Sequence, residues 1–303
     1  CLQGCLAKVK AGGPVSCLIN PELGREGMPV PHAEAVGERL VVVGGGPAGL
    51  EAALIADRAG FQVTLFERRR ALGGQFVLAG LTPGKEAMKR PFRSLVRAAE
   101  RSGVDLRVGS EATLEDIVEL DPVRVIVATG SRPIIPEIPG LENPLTAEEV
   151  LTGARDVGRR VLILGGGLVG IELAEKIVSN EREVVVVELL EDIACDMEAI
   201  SRKMTLMRLQ ALPVEIYTRT RLLRIEGGEA VVCDEATGDE RSLGSFDSVL
   251  VAVGHHSHDP LSADLVEAGL EVEVIGDARK PGQVWDATQG GHNAIAAAVQ
   301  GRG

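Results

Sequence analysis

Three cysteines stand within the first seventeen residues, in Cys1-Leu2-Gln3-Gly4-Cys5 and Gly13-Pro14-Val15-Ser16-Cys17. Iron–sulfur clusters are held by cysteine thiolates, normally four, with several packed in one loop. A free cysteine can also be a small buried hydrophobe, and a pair can close a disulfide loop. Against both, the segment has little apolar periodicity and holds three of the chain's five cysteines. The odd number does not suit a disulfide framework. Cys1, Cys5 and Cys17 are therefore candidate metal ligands.

A second set of residues has the spacing that nucleotide binding needs. Gly44, Gly46 and Gly49 follow the run Leu40-Val41-Val42-Val43 and precede Leu50-Glu51-Ala52-Ala53. In G-x-G-x-x-G the glycines serve a tight turn, close approach of backbone to a pyrophosphate, and tight helix–strand packing. The helix start beyond them favours a diphosphate through free N–H groups and its dipole. The run Gln62-Val63-Thr64-Leu65-Phe66 ends at Glu67, whose carboxylate can accept hydrogen bonds from the ribose hydroxyls of an adenosine. The pattern recurs 121 residues later: Val161-Leu162-Ile163-Leu164, then Gly165, Gly167 and Gly170, then Val184-Val185-Val186-Val187 and Glu188. In both copies the first glycine lies 23 residues before the acid. A lone motif is weak; the repeated set of strand, glycines, helix, strand and terminal Glu is not.

These motifs require buried parallel strands, each followed by a helix, so the sequence predicts an α/β fold of two Rossmann-like units. Further strands are expected at Val125–Gly130, Val249–Gly254 and Val272–Ile275, and a last helix from about Thr288 to Gln300. The chain has 303 residues and a formal net charge of -12. That charge argues against nucleic acid, which needs basic surface, and against anionic membranes. Five Phe, one Tyr and one Trp make a base-stacking surface implausible. No apolar run approaches a membrane span.

The arrangement resembles the two-dinucleotide-binding flavoprotein fold of the disulfide-reductase-like superfamily. The resemblance implies FAD on the first unit and NAD(P)H on the second. It also implies that Gly276-Asp277 contacts the FAD ribityl chain, with the last helix pointing at the flavin. No redox-active cysteine pair is present; Cys195 and Cys233 stand alone and are read as buried or incidental thiols.

More specifically, the chain resembles NADH:flavin oxidoreductases related to old yellow enzyme, the family of 2,4-dienoyl-CoA reductase, enoate reductase and trimethylamine dehydrogenase. That family carries C-x2-C-x3-C-x11-C, which binds a [4Fe–4S] cluster between an FMN-bearing TIM barrel and the flavoprotein module. Cys1, Cys5 and Cys17 resemble its second to fourth cysteines; the first would lie upstream of Cys1. Ser16-Cys17-Leu18-Ile19-Asn20-Pro21, Gly24-Arg25-Glu26, Leu72-Gly73-Gly74-Gln75 and Pro83-Gly84-Lys85-Glu86 also resemble its signatures. Leu2 departs from the family, where Asn often follows the second cysteine.

By this resemblance FAD contacts fall on Gly44, Gly46, Ala48, Gly49, Glu67, Gly74, Gln75, Lys85, Ala112, Gly130, Gly276 and Asp277. NADH contacts fall on Gly165, Gly167, Gly170 and Glu188. The expected organisation is a cluster loop and linker at 1–36, an FAD domain at 37–154 plus 272–303, and an NAD(H) domain at 155–271. The implied function is an oxidoreductase module of a cytoplasmic enzyme that can be a homo-oligomer. It passes hydride from NADH to FAD, and electrons through the cluster to FMN in an upstream barrel that reduces an activated alkene. Catalytic residues for that small-molecule substrate are not assigned. The alternative is an electron-transfer module of the amine-dehydrogenase type with a structural nucleotide. Leu189-Leu190-Glu191-Asp192 offers no arginine for a 2′-phosphate, which favours NADH over NADPH. His255-His256-Ser257-His258-Asp259 reads as a solvated loop rather than a metal site. Glu172 and Glu175 read as helix-surface charge, with a nicotinamide contact at Glu172 as the other possibility.

Overall fold

The computed structural model describes residues 4–26 and 37–300, the side chain of Gln300 excepted. The chain divides into two compact units: residues to 80, 87–132 and 256 onward form the first, and 81–86 with 133–255 the second.

In the first unit a short helix α1 (Leu6–Lys10) precedes β1 (Arg39–Val43), α2 (Pro47–Arg58) and β2 (Gln62–Glu67). Then come α3 (Phe76–Ala79), α4 (Lys89–Arg101), β3 (Asp105–Val108), α5 (Leu114–Glu119) and β4 (Arg124–Val127), with β5 (Ser131–Pro133) leading out. The second unit runs through β6 (Leu145–Thr146), α6 (Ala147–Thr152), β7 (Arg160–Leu164), α7 (Leu168–Ile177), β8 (Glu183–Val187), α8 (Ala199–Leu209) and β9 (Val214–Tyr217). An antiparallel sheet of β10 (Thr220–Glu226), β11 (Glu229–Asp234) and β12 (Glu240–Ser245) follows, then β13 (Ser248–Val251). After β14 (His255–Ser257), the chain completes the first unit with α9 (Ser262–Glu267), β15 (Val272–Val274) and α10 (Val284–Gln300).

Each unit is built on a five-stranded sheet, ordered β15-β4-β1-β2-β3 in the first and β6-β13-β7-β8-β9 in the second. Every pairing in both is parallel. The two sheets match strand for strand, with Val43 opposite Phe66 in one and Leu164 opposite Val187 in the other. The unbroken apolar runs follow from burial on both faces. Leu40 and Val42 pack towards α2 and α10, while Val41 and Val43 join Ile117 of α5 and Leu265 of α9. In the second unit Val161 and Ile163 face α7, and Leu162 and Leu164 pack against Leu222, Ala230 and Val232 of the antiparallel sheet.

These contacts also set where the chain divides. Leu145 of β6 pairs with Leu250 in the second sheet, and Leu265 belongs to the first unit's core. Residues 133–154 therefore go with the second unit and 256–271 with the first, whereas the sequence reading assigned them the other way. The last helix begins at Val284, one turn before the expected Thr288. The histidine-rich stretch is a short strand rather than a loop. No helix among the described residues is long and apolar enough to cross a membrane.

Candidate functional site

Each sheet presents a strand–glycine–helix switch. Gly46 is the extended N-cap of α2 and Gly167 that of α7, and neither offers a side chain to the first turn. The first-turn N–H groups therefore face outward at the carboxyl end of the sheet, as an anion site requires. A Cβ on Gly49 would stand 1.9 Å from the Gly44 carbonyl oxygen, and one on Gly170 1.9 Å from that of Gly165. Only glycine lets each helix lie this close to its strand.

The two acids are held alike. Glu67 is buried; its Oε2 accepts the Gly45 N–H at 2.8 Å and its Oε1 the Arg69 N–H at 2.7 Å. Glu188 is also buried, and accepts from Gly166 at 2.5 Å and from Leu190 at 2.8 Å. Backbone donors fix both orientations, and each carboxylate oxygen keeps acceptor capacity for a ribose hydroxyl.

The likeness extends past the acids. The Gly73 N–H donates to the Gly45 oxygen at 2.7 Å, and the Ala194 N–H to the Gly166 oxygen at 2.7 Å. Gly73 has φ +110, and Ala194, at the same place 121 residues on, is held at φ +54. This loop brings Gly74 over the first helix start and Asp196 over the second. There the copies differ. Nothing lies within 4 Å of where a Gly46 Cβ would be, so the approach to α2 is open. At Gly167 the carboxylate of Asp196 is the neighbour, at 3.4–3.8 Å, and its Oδ1 accepts the Leu168 N–H at 2.8 Å. Sequence reasoning missed Asp196; its signal was its place in the repeat, 121 residues after Gln75.

Other expected FAD residues in the first unit converge. Gln75 Nε2 donates to Ser131 Oγ at 3.0 Å, and Ser131 Oγ donates to Asp277 Oδ2 at 3.0 Å. Asp277 Oδ1 accepts the Gly282 N–H at 3.1 Å. Ser131, directly after Gly130, was not anticipated, although it links two residues that were. Gly276 has φ +56, and a Cβ there would stand 2.8 Å from the Ala48 Cβ. The Ala112 methyl is buried with Phe66 and Ile117 in the core. The open cradle at Gly46 and the buried, pre-oriented Glu67 fit an ADP-containing cofactor such as FAD. The second cradle fits NAD(P)H in shape, with the Asp196 carboxylate leaning into it.

Lys85 lies in the second unit, where it forms an ion pair with Glu172. Glu172 is buried, which pushes its carboxyl up, while Lys85 and a hydrogen bond from Thr82 oppose the shift. Glu175 is half-buried as a residue, with its side chain largely covered, and pairs with Arg208 Nη2 at 3.1 Å. The expectation of helix-surface charge is thus corrected for both: the cations that neutralise them come from other segments. Arg219 pairs with Glu191, so the fold brings an arginine to the loop after Glu188 that the local sequence lacks.

At the cysteine loop, the Ser16 N–H and Oγ both donate to the Gly4 oxygen, at 3.3 and 2.9 Å. The neighbours of Cys5 and Cys17 are thereby joined. Trp285 Nε1 donates to Ser16 Oγ at 3.0 Å, Lys8 lies 4.0 Å over the Trp285 ring, and Leu18 is buried with Phe76 and Met88. Cys5 is exposed and Cys17 half-buried; Cys1 lies outside the described residues. Among the described residues no three His, Cys, Asp or Glu gather as a metal site, and two thiols alone do not make up the ligand set of a [4Fe–4S] cluster. Cys195 is exposed rather than buried. His258 Nε2 lies 3.0 Å from Arg132 Nη2, and burial with that positive charge pulls its pKa down.

Comparison with known proteins agrees with this geometry. The family model described as pyridine nucleotide-disulphide oxidoreductase matches residues 38–279. A curated relative, the NADH oxidase of Thermoanaerobacter brockii, is 38% identical over 302 residues, covering 96% of this chain and 46% of its own length. The solved 2-naphthoyl-CoA reductase superposes with a TM-score of 0.89 at 26% identity, over 98% of this chain and 45% of that one. Histamine dehydrogenase from Rhizobium sp. 4-9 gives 0.83 at 25% identity, over 95% and 46%. The chain spans about half the length of the relatives it matches.

Proposed function

The chain belongs to the pyridine nucleotide-disulphide oxidoreductase family, and from that premise we propose that it is the NADH-accepting half of an iron–sulfur flavoprotein reductase. FAD supplies the conversion of a two-electron donor into single electrons. The first unit would hold it, with the α2 start for its diphosphate, Glu67 for its ribose, and the hydrogen-bonded Gln75, Ser131 and Asp277 as further polar contacts. The second unit orients NADH, with Glu188 on the adenosine ribose and the α7 start on the diphosphate. Lys85 neutralises Glu172, so this buried carboxylate does not repel the dinucleotide.

In this reading Cys1, Cys5 and Cys17 contribute to a [4Fe–4S] cluster, and the partner is an FMN-bearing barrel of the same polypeptide that reduces an activated alkene. The observation that carries the proposal is the presence of two complete nucleotide cradles, each with its own buried, backbone-held glutamate. Anaerobic addition of NADH to the FAD-loaded chain should bleach the flavin rapidly; an unbleached flavin overturns it. NADH should also outperform NADPH, because Glu188 meets the 2′-hydroxyl and Arg219 is tied to Glu191. Faster reduction by NADPH would sink that preference.

A second reading has two observations in its favour. The Asp196 carboxylate at the second cradle and the likeness to histamine dehydrogenase suit an amine-dehydrogenase-type module, in which the second nucleotide is structural or absent. Lack of flavin bleaching together with FAD retention would select it.

A further inference from the structure

The first-turn N–H groups of α7 are the feature that would hold the diphosphate of NADH, and one of them is already engaged. Leu168 occupies the first helical position, and its N–H donates to Asp196 Oδ1 at 2.8 Å. The matching residue in the first unit is Pro47, which has no N–H to satisfy. The residue matching Asp196 is Gln75, whose amide turns instead to Ser131. The unit with a proline start thus carries a neutral side chain in this loop, and the unit with a free N–H carries a carboxylate.

The loop that presents Asp196 is firmly anchored. Arg202 Nε and Nη2 donate to the Ile193 oxygen at 3.0 and 2.9 Å, and the Met197 N–H donates to the Ala194 oxygen at 3.2 Å. Ala194, between them, keeps a left-handed φ of +54 that a non-glycine residue adopts only when its surroundings hold it there. Asp196 therefore stands over the helix start because the loop is built to put it there. A carboxylate at a helix N-terminus satisfies an orphan donor and the positive end of the dipole. A diphosphate in the same cradle would meet the same donors and a like charge.

We propose that Asp196 is a built-in stand-in for the dinucleotide diphosphate: it caps α7 while the second site is empty and is displaced when NADH binds. This rests on the reading of the second unit as the NADH site. Asp196 is then a specificity residue, since it sets a threshold that only a ligand bearing a diphosphate crosses. A nucleoside without phosphates has nothing to displace it with.

The test uses the FAD-saturated chain, so that the first cradle is filled, and compares wild type with Asp196→Asn and Asp196→Ala. ADP-ribose and adenosine are titrated by calorimetry, and the nucleotide-free melting temperature is recorded alongside. Both variants should bind ADP-ribose about 2- to 5-fold more tightly, the range expected for removing a charge at a helix terminus. Adenosine affinity should not change. Asp196→Ala should melt lower than wild type without ligand and recover the difference at saturating ADP-ribose. Equal or weaker ADP-ribose binding by the variants overturns the inference, as does an equal gain for adenosine. If neither wild type nor variants bind ADP-ribose, the nucleotide reading of the second unit falls, and the inference with it.

Discussion

The two nucleotide-binding units share strand order, register, glycine spacing and the seating of a terminal glutamate, and they differ in what surrounds those parts. In the first, the helix start is Pro47, the cradle is open, and the polar residues form a chain through Gln75, Ser131 and Asp277. In the second, the helix start is Leu168 with an N–H to cap, and acids stand close to it, each with its own partner. The backbone geometry common to both is what an ADP moiety requires. The differences lie where a tightly kept cofactor and an exchanging one place opposite demands. A resident group is served by a cradle that stays open and pre-formed. A group that must come and go is served by donors that are satisfied in its absence.

The largest test of that common geometry is a methyl group at the closest approach. Gly49→Ala and Gly170→Ala each place a carbon 1.9 Å from a carbonyl oxygen. The strand–helix junction cannot absorb that without moving, at a cost of more than about 3 kcal/mol. Gly170→Ala should keep FAD after gel filtration and lose bleaching by NADH, whereas Gly49→Ala should lose the flavin itself. The same outcome in both variants would mean that the units are not separable in function.

Next are the glutamates. Glu67→Gln and Glu188→Gln leave one of the two backbone N–H donors on each side chain facing an amide NH2, a loss of about 1–3 kcal/mol each. The first should lower FAD content. The second should raise the KM for NADH about tenfold or more in stopped-flow reduction, with FAD content unchanged. Reversed assignments would break the comparison.

A further pair lies at the same repeat positions, Glu51 and Glu172, 121 residues apart and both buried. Burial pushes the Glu51 carboxyl up to about 7, with the field of Arg58 offsetting it in part. Glu172 is raised as well, but Lys85 lies against it. Both folded pKa values exceed that of the unfolded chain, so the native state holds these protons more tightly. Stability from this source is complete at acid pH, declines as pH rises through about 4.5 to 7 for Glu51, and stays low above. Glu51→Gln should flatten that decline and raise stability at pH 8 by on the order of 2–3 kcal/mol in denaturant titrations. Glu172→Gln should give a smaller gain than Glu51→Gln, because Lys85 offsets part of the burial of Glu172. A larger gain at Glu172 would show that Lys85 does not offset that burial.

What the sequence made legible and what it did not divide along contact range. Gly44 to Glu67 and Gly165 to Glu188 are local patterns: apolar runs, glycines and an acid at fixed spacing, with each residue's role decided by its own strand or turn. The parallel sheets followed from them. The pairing of Glu172 with Lys85 did not, since the partner lies 87 residues away and a helical glutamate reads as surface until its packing is known. Ser131 and Asp196 were hidden for a related reason. Each is an ordinary polar residue whose meaning comes from the side chain or helix start that the fold sets against it. Arg219 corrects the local argument about the loop after Glu188 in the same way.

The smallest expected effect concerns two helix starts outside the cradles. Thr113 caps α5 and Thr146 caps α6, each in a reciprocal box with the acid three residues on, Asp116 or Glu149. The Thr146 N–H holds the Glu149 carboxyl below the usual range, so this cap is at full strength at neutral pH and weakens as pH falls through that lowered value. Thr→Ala at either cap removes one acceptor for an orphan donor, worth about 1 kcal/mol. The helices differ in what they bury. Ile117 of α5 lies in the first unit's core, while α6 fully buries none of its side chains. Thr113→Ala should therefore lower global stability by the full amount, because the cap is coupled to core packing. Thr146→Ala should appear mainly as faster hydrogen exchange of the first α6 amides, with a smaller shift in the melting curve. Equal global losses from the two caps would show that α6 is as tightly coupled to its unit as α5.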